Sequence, residues 1–270
     1  MIVIRLLVVA LVVMCDVVWS DDGLRSITIP KNAIEARLKV HRFEPVVSGK
    51  SYSMGGVEVG QRVYYENGQL AEERLLQDGK LHGYRRQWHE NGMLFSEQPY
   101  REGVLDGTCK YWSPGGNLLG ESLLTKGTGV LREFPNDALR VEDQEIPYVK
   151  GKIEGVKKVW ERTEVTSFSL IEYRNGLADG WSVGIDKEGR VHTSYSCRRD
   201  RIHGVYRKFK PDGTLLPDYP EYWVMGDPAS EAEFKAACKK DEALRRSLTD
   251  DGRNWPAIKE FVKQLRANGR

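Results

Sequence analysis

Residues 64–70 have the sequence YYENGQL, and residues 88–94, which begin 24 positions later, have the sequence WHENGML. In both stretches an Asn-Gly pair follows an aromatic residue and precedes a leucine. Asn-Gly is a strong signal for a two-residue β-hairpin turn, because both turn residues must tolerate a positive φ angle. The two stretches therefore predict a β-hairpin module of about 24 residues.

Glycines elsewhere in the chain recur at nearly the same interval, in three series. The first contains Gly83, Gly107, Gly129, Gly155, Gly180 and Gly204, the second Gly68, Gly92, Gly116, Gly189 and Gly213, and the third Gly79, Gly103, Gly127 and Gly151. We interpret all three series as turns, most clearly at Gly68, Gly83, Gly92, Gly107, Gly116, Gly180 and Gly204. The predicted fold is an all-β repeat, an elongated antiparallel meander of about seven β-hairpins.

The strand register follows from the Asn-Gly turns. If Asn91 and Gly92 are the two loop residues, Arg86 lies opposite Glu97, and Trp88 lies opposite Phe95. The same rule pairs Arg62 with Glu73, Lys110 with Glu121, Arg207 with Asp218 and Val183 with Ser194. The basic-acidic matches predict cross-strand ion pairs on a partly solvated face. The alternative, a basic column that grips an anionic partner, is disfavoured because each base already has a carboxylate opposite.

A column of large apolar side chains accompanies the first glycine series, five residues after each glycine. It contains Trp88, Trp112, Phe134, Trp160, Ile185 and Phe209, with Tyr64 at the equivalent position upstream. Two interpretations stay open: a buried stripe between neighbouring hairpins, or an exposed row suited to protein or glycan contact. In the second case the candidate binding residues are Tyr64, Trp88, Trp112 and Trp160.

Both ends of the chain differ from the repeats. Residues 1–20 have the order of a secretory signal, with Arg5, an apolar stretch and a small-residue site that predicts cleavage after Ser20. This indicates a secreted or periplasmic protein, and the alternative is a lipoprotein acylated at Cys15. Residues 21–60 are expected to form strands that lead into the repeats of residues 61–220. Residues 221–270 are expected to form a helical cap. A partner-binding appendage is the alternative to the cap.

The helical tail has its own signals. Asp227-Pro228 is a plausible start, residues 229–248 have helical spacing, and a second helix is expected over about 256–267.

Several classes of chemistry lack support in the sequence. The 41 Lys and Arg residues nearly balance the 39 Asp and Glu residues, which does not favour nucleic-acid binding. The five histidines show no metal-ligand spacing, and His82 and His203 stand where sister modules have aspartate, so a turn role is expected for them. We therefore predict no catalytic residue, no metal and no cofactor.

Three cysteines follow the predicted leader: Cys109, Cys197 and Cys238. An odd number at unrelated repeat positions gives no disulfide framework, so we expect small buried apolar side chains. One bridge with one free thiol is the alternative.

With these motifs in place, residues 64–216 resemble the MORN-repeat variant family, which is also found in bacterial antitoxins of toxin-antitoxin systems. The likeness rests on the two Asn-Gly motifs and on the link DGKLHG at residues 78–83. It implies a meander that binds proteins, or lipid, and has no catalytic site. The predicted function is an exported, non-catalytic scaffold for an unknown protein partner. The alternatives are a binder of anionic envelope lipid or polysaccharide, and an antitoxin-like neutraliser of a toxin.

Overall fold

The computed structural model describes residues 18–19, 25–26, 28–38, 46–136, 143–161 and 167–267. Most of the predicted signal peptide, including Cys15 and Ser20, lies outside the described residues. Within them, no helix is long and apolar enough to cross a membrane.

Antiparallel strands dominate the chain and follow one another as a meander. A short pair consists of β1 (Val18–Trp19) and β2 (Arg25–Ser26). A nine-stranded sheet contains β3 (Ile34–Leu38), β4 (Val46–Met54), β5 (Val57–Tyr65), β6 (Leu70–Gln77), β7 (Lys80–Trp88), β8 (Leu94–Arg101), β9 (Val104–Leu105), β10 (Gly107–Trp112) and β11 (Leu118–Leu124). The predicted all-β repeat fold is confirmed.

A second sheet of eleven strands continues the meander. It contains β12 (Gly129–Glu133), β13 (Asp143–Val149), β14 (Lys152–Ile153), β15 (Gly155–Glu161), β16 (Ser167–Arg174), β17 (Leu177–Asp186), β18 (Val191–Arg198), β19 (Arg201–Ile202), β20 (Gly204–Lys208), β21 (Glu221–Val224) and β22 (Asp227–Ala229). Strands β3 and β4 lie in residues 21–60, where strands are predicted, whereas β21 and β22 lie in residues 221–270, where a helical cap is predicted.

The Asn-Gly turns have three residues instead of two. The N–H of Gly92 donates to the carbonyl of His89 at 2.9 Å, and the N–H of His89 donates to the carbonyl of Met93 at 2.8 Å. Gly92 has a φ of 82°, but Asn91 is not among the residues with positive φ. The prediction of a two-residue Asn91-Gly92 loop is therefore wrong, because only the glycine takes the left-handed conformation, at the bulge that closes the turn.

A second bulge restores the predicted register further from the turn. Trp88 lies opposite Leu94 and not opposite Phe95, as had been expected. The register then shifts between Gln87 and Trp88, so that Arg86 lies opposite Glu97.

Two-residue turns with positive φ at both positions occur at the third glycine series. Asp78 and Gly79 have φ values of 50° and 73°, and Lys126 and Gly127 have values of 48° and 71°. These are the turns whose twist matches that of the flanking strands. The turns of the third series are therefore of the type Asp-Gly, Glu-Gly or Lys-Gly, and they join one module to the next.

The first glycine series does not mark turns, which corrects the prediction for Gly83, Gly107, Gly180 and Gly204. These glycines lie within or at the start of β7, β10, β17 and β20. Each has a positive φ, from 90° at Gly83 to 150° at Gly204. A positive φ inside a strand path is typical of a bulge, and glycine adopts it without a Cβ clash.

Three helices follow the strands: α1 (Glu231–Cys238), α2 (Glu242–Thr249) and α3 (Pro256–Ala267). The expected helix over 229–248 is split in two, because Asp241 caps α2 and accepts the N–H groups of Ala243 and Leu244. Ser230 caps α1 in place of the expected Asp227-Pro228, which lies in β22. The cysteines of the described chain are free: Cys109 and Cys238 are buried, and Cys197 is half-buried.

Candidate binding face

Neighbouring modules are joined at the Asn-Gly edge by side-chain hydrogen bonds that span 23 residues. The Tyr65 hydroxyl donates to the Trp88 carbonyl at 2.5 Å, and His89 Nε2 lies 2.9 Å from the Trp112 carbonyl oxygen. The Asn67 side-chain amide donates to the Glu90 carbonyl at 3.0 Å in the same way. The aromatic and asparagine residues of the motif therefore hold one hairpin to the next.

A second set of hydrogen bonds joins the modules at the opposite edge. The residue before five of the six glycines of the first series accepts a hydrogen bond from the main-chain N–H of a later two-residue turn. The pairs are Glu102 to His82 (3.4 Å), Lys126 to Asp106 (2.9 Å), Lys150 to Thr128 (3.0 Å), Asn175 to Glu154 (2.7 Å) and Met225 to His203 (3.2 Å). At Gly180 the side-chain contact is reversed, and the Ala178 N–H donates to the Asp200 carboxylate at 2.7 Å. His82 and His203 therefore act as acceptors for the next module's turn, and do not form a turn themselves.

A row of alternating charges crosses the first sheet from strand to strand. Its members are Arg62, Glu73, Arg86, Glu97, Lys110 and Glu121, each opposite the next. Arg62 contacts Glu73 at 2.7 Å, and Arg86 contacts Glu97 at 2.7 Å. Because acids and bases alternate, the row neutralises itself.

The last predicted pair is not formed, which corrects the register of the final module. Strand β20 pairs with β21, so that Tyr206 lies opposite Glu221, and Asp218 lies in a turn. Arg207 is buried and donates to the Ser247 carbonyl in α2 at 2.6 Å. The burial lowers the pKa of Arg207. The carbonyls at the C-terminus of α2 therefore take the place of the expected Asp218 carboxylate, because carbonyls at a helix C-terminus attract cations.

In the second sheet, the aromatic column packs in a core cluster that includes residues of α3. Trp160 packs against Phe261 of α3 with ring centroids 5.9 Å apart, and Ile185 is fully buried. Trp88 and Trp112 are half-buried, as Trp160 is, but they do not belong to this cluster. The buried-stripe interpretation therefore holds for Ile185 and Phe209, and the exposed-row interpretation stays a prediction for Tyr64, Trp88 and Trp112.

The charge row changes character where α3 covers it. In the second sheet, the residues at the equivalent positions also lie opposite one another on neighbouring strands. They are Arg132, Glu145, Lys158, Leu170, Val183 and Ser194. Leu170 and Val183 are buried in one cluster with Phe261. The charged positions thus become apolar where a helix covers the sheet.

These modules correspond to a known repeat. Residues 61–78 and 81–102 match the MORN repeat variant. A search of curated proteins finds no match to the chain. MORN repeats are non-catalytic and commonly mediate binding to proteins or to membrane lipids. The matched residues include the first two Asn-Gly motifs and the pairs formed by Arg62 and Arg86 with their glutamates.

The hairpins from β5 to β11, of which residues 61–78 and 81–102 match the MORN repeat variant, leave part of the charged side of the sheet uncovered by the described residues. We call this surface the open face, and define it by Tyr64, Trp88, Trp112, Leu118 and the six charges of the row. Leu118 lies opposite Trp112 and is 54% exposed. The sheet places aromatic and aliphatic side chains here without a core partner, which is typical of an interaction surface.

The open face ends where the N-terminal segment crosses the sheet. Ile29 lies so close to Gly60 that a Cβ at Gly60 would be 2.7 Å from the Ile29 side chain. Tyr84, on the same side of the strand as Arg86, is buried beneath the Arg86 guanidinium, which is 4.8 Å from its ring. The accessible part is therefore the end nearest the Asn-Gly turns.

The opposite side of the first sheet contains a buried polar network that the sequence did not reveal. Glu72 accepts hydrogen bonds from Arg74, from Arg85 at 2.8 Å and from Gln87 at 3.1 Å. Burial alone would raise the pKa of Glu72, but Arg85 and Arg74 outweigh it and hold that pKa below its usual range. The Arg74, Arg85 and Gln87 side chains already donate to Glu72. We therefore assign this network a structural role and do not regard it as a ligand site.

A cavity beside α2 brings Cys197, His203 and Asp241 together. Both ring nitrogens of His203 are engaged, one by Met225 N–H and the other by Asp241 at 3.2 Å. Burial raises the pKa of the Cys197 thiol to about 11. A neutral thiol beside an occupied histidine lacks the activated nucleophile that covalent catalysis needs. In the described chain no cluster of three metal-ligating side chains occurs.

Proposed function

We propose that this protein is an exported, non-catalytic MORN-variant scaffold that binds a protein partner on its open face. The observation that supports it best is the half-buried row of Tyr64, Trp88 and Trp112 beside exposed Leu118. Tryptophan and tyrosine are the residues that most often dominate the binding energy of protein interfaces. Further along the chain, the equivalent residues Trp160, Ile185 and Phe209 pack in or against a cluster that includes α3.

The charges of the open face favour a protein over an anionic membrane. The row contains three bases and three acids, and each base lies beside at least one acid. Binding to anionic lipid depends on clusters of unpaired lysine and arginine. A toxin would be one such protein partner, as in the antitoxin-like alternative.

Paired variants test the open face. We expect full-length wild-type protein to capture a partner from native envelope extract, and the double variant Trp88→Ala/Trp112→Ala to lose it. The matched control is Trp223→Ala, since Trp223 is also half-buried but lies on β21, away from the open face. Equal melting temperatures would show that the double variant is folded.

Undiminished capture by the folded double variant would refute the proposed binding face. Salt-sensitive sedimentation with anionic vesicles, in place of protein capture, would favour the lipid alternative.

The export proposal rests on the leader of residues 1–20. We expect the intact mass of the native protein to correspond to a chain that begins at Asp21. A cytoplasmic species that retains Arg5, or a lipid on Cys15, would contradict cleavage after Ser20.

A further inference from the structure

We propose that the open face receives an amphipathic α-helix of the partner protein, laid across the strands as α3 lies across β15 to β18. The inference rests on the proposed function and specifies the partner's chemistry. It starts from the observation that this chain already seats one of its own helices on its hairpins, where α3 packs on residues of β15 to β18.

The seat of α3 is built from residues of several neighbouring hairpins. The Phe261 ring lies 5.2 Å from the ring of Phe168 on β16 and 5.9 Å from that of Trp160 on β15. Val262 lies against Gly189 in the turn between β17 and β18. The helix therefore runs across the strands, and an aromatic residue of the column forms part of its apolar floor.

A polar contact fixes the same helix beside the floor. The Lys158 ammonium donates to Gln264 of α3 at 2.8 Å and to Glu145 of the neighbouring strand at 2.9 Å. Lys158 precedes Trp160 by two residues, as Arg86 precedes Trp88 and Lys110 precedes Trp112. Each open module thus repeats the elements that hold α3: an aromatic ring, and a base with a cross-strand acid.

The spacing of the open modules fits a helix. Trp88 on β7 and Trp112 on β10 are separated by β8, and Tyr64 on β5 is separated from Trp88 by β6. Two strand spacings correspond to about 10 Å. A helix rises about 1.5 Å per residue, so about seven residues, or two turns, span each interval. The partner helix should therefore present apolar residues at i and i+7, the separation of Ile258 and Leu265 in α3.

The charge row sets a second requirement. Glu97 and Glu121 occupy the positions where the α3 seat has apolar Leu170. The partner helix must therefore have polar residues along the flank that faces the row. Since the row is neutral as a whole, binding should depend mainly on apolar contact and change little with salt.

The probe for this inference is a peptide of residues 254–267, the α3 sequence, with a fluorescent label. We expect it to bind the full-length protein saturably in an anisotropy titration. The Trp88→Ala/Trp112→Ala variant should raise its Kd at least about tenfold. Trp223→Ala should leave the Kd unchanged, and a peptide with Phe261→Asp should not bind.

A photoreactive leucine at position 265 of the peptide should cross-link to residues 84–118. Cross-links confined to β15–β18 would show exchange into the α3 seat and would overturn the inference. Failure of the peptide to bind would also overturn the inference. That result is expected if another part of the chain covers the open face. Self-association of the protein that is abolished by Trp88→Ala/Trp112→Ala would identify a second copy as the occupant instead.

Competition separates this inference from the proposed function. If a partner captured from extract depends on Trp88 and Trp112 but is not displaced by the α3 peptide, the open face binds protein but not a helix of this kind. If capture does not depend on these residues, the proposed function fails.

Discussion

The Tyr65 hydroxyl lies 2.5 Å from the carbonyl oxygen of Trp88 and joins the first Asn-Gly module to the second. Burial raises the pKa of Tyr65 well above its usual value, so the hydroxyl remains a donor throughout the accessible pH range.

We predict that Tyr65→Phe lowers the free energy of unfolding by about 1 kcal/mol, because the ring stays buried and the carbonyl loses its donor. Urea denaturation measures this loss. Tyr195→Phe is the control, since no described residue forms a hydrogen bond with the Tyr195 hydroxyl. An equal effect of both variants would mean that the inter-module hydrogen bond contributes nothing specific.

Glycine substitutions should separate turn conformation from the stacking of modules. Gly68 and Gly127 have similar φ values of 82° and 71°, but a Cβ at Gly127 would lie 2.4 Å from the main-chain nitrogen of Gly151, whereas one at Gly68 meets nothing within 4 Å. Gly68→Ala should cost about 1 to 2 kcal/mol for the left-handed conformation alone. Gly127→Ala should cost at least about 1 kcal/mol more. Thermal unfolding of the two variants measures both losses of stability. Equal losses would show that the Gly151 turn moves aside for the new Cβ at little energetic cost.

The hairpin architecture was predictable because it rests on local signals. Asn-Gly pairs and alternating charges are separated by only a few residues, so they determine the hairpin and the register of Arg86 and Glu97. The turn geometry could not be predicted from the pairing of Arg86 with Glu97. The bulge in the turn and the bulge next to Trp88 shift the register in opposite directions, so the pairs beyond them are the same as for a two-residue loop. Asp106 and Glu154 stand before glycines of the first series, so the sequence pattern predicts turns there. Their role as hydrogen-bond acceptors for the next module's turn depends on a contact about 20 residues away.

Features that depend on distant parts of the chain could not be predicted. Trp112 and Trp160 occupy the same position in their modules and are both half-buried, but only Trp160 packs against the core cluster that includes α3. Arg207 likewise has a partner 40 residues away, at Ser247. Repetition specifies the module, whereas the burial of each copy depends on what packs against it.

A double-mutant cycle on Arg86 and Glu97 should give a coupling of about 0.2 to 1 kcal/mol that shrinks with added salt. Both side chains are one-quarter exposed, and their charged groups are 2.7 Å apart. Exchanging the charges, with Arg86→Glu and Glu97→Arg, should recover only part of the loss, because Arg86 also lies opposite Glu73.

The exposed pair Glu242 and Arg246 provides the comparison, and its coupling should be smaller. A larger coupling there would mean that the position in the row adds nothing to the pair.

Glu72 should make the stability depend on acid pH. Its folded-state pKa is lowered, so its contribution is fully present above the unfolded-state value of about 4.3 and is lost as the pH falls through the folded-state pKa. The free energy of unfolding of Glu72→Gln should therefore decline less steeply below about pH 4.5 than that of the wild type.

Glu72→Ala should be more damaging at neutral pH, by about 3 to 5 kcal/mol, since it leaves Arg85 without its buried counter-charge. Glu242→Gln, at an exposed site, is the control for the pH series. Parallel acid curves for Glu72→Gln and the wild type would exclude Glu72 as a major source of the acid dependence.

The hydrogen bonds at the two-residue turns have a direction along the chain. In the main chain, the turn of the later module supplies the N–H and the earlier module supplies the carbonyl, from Gly103 and Leu81 to Gly226 and Ile202. The array is therefore polar, with an acceptor end and a donor end that are not interchangeable. The Met225-Gly226 turn between β21 and β22 is the last such donor in the described chain, and its N–H groups donate to His203 and Ile202. A module placed between two others must therefore present turn N–H groups to its predecessor and an acceptor to its successor.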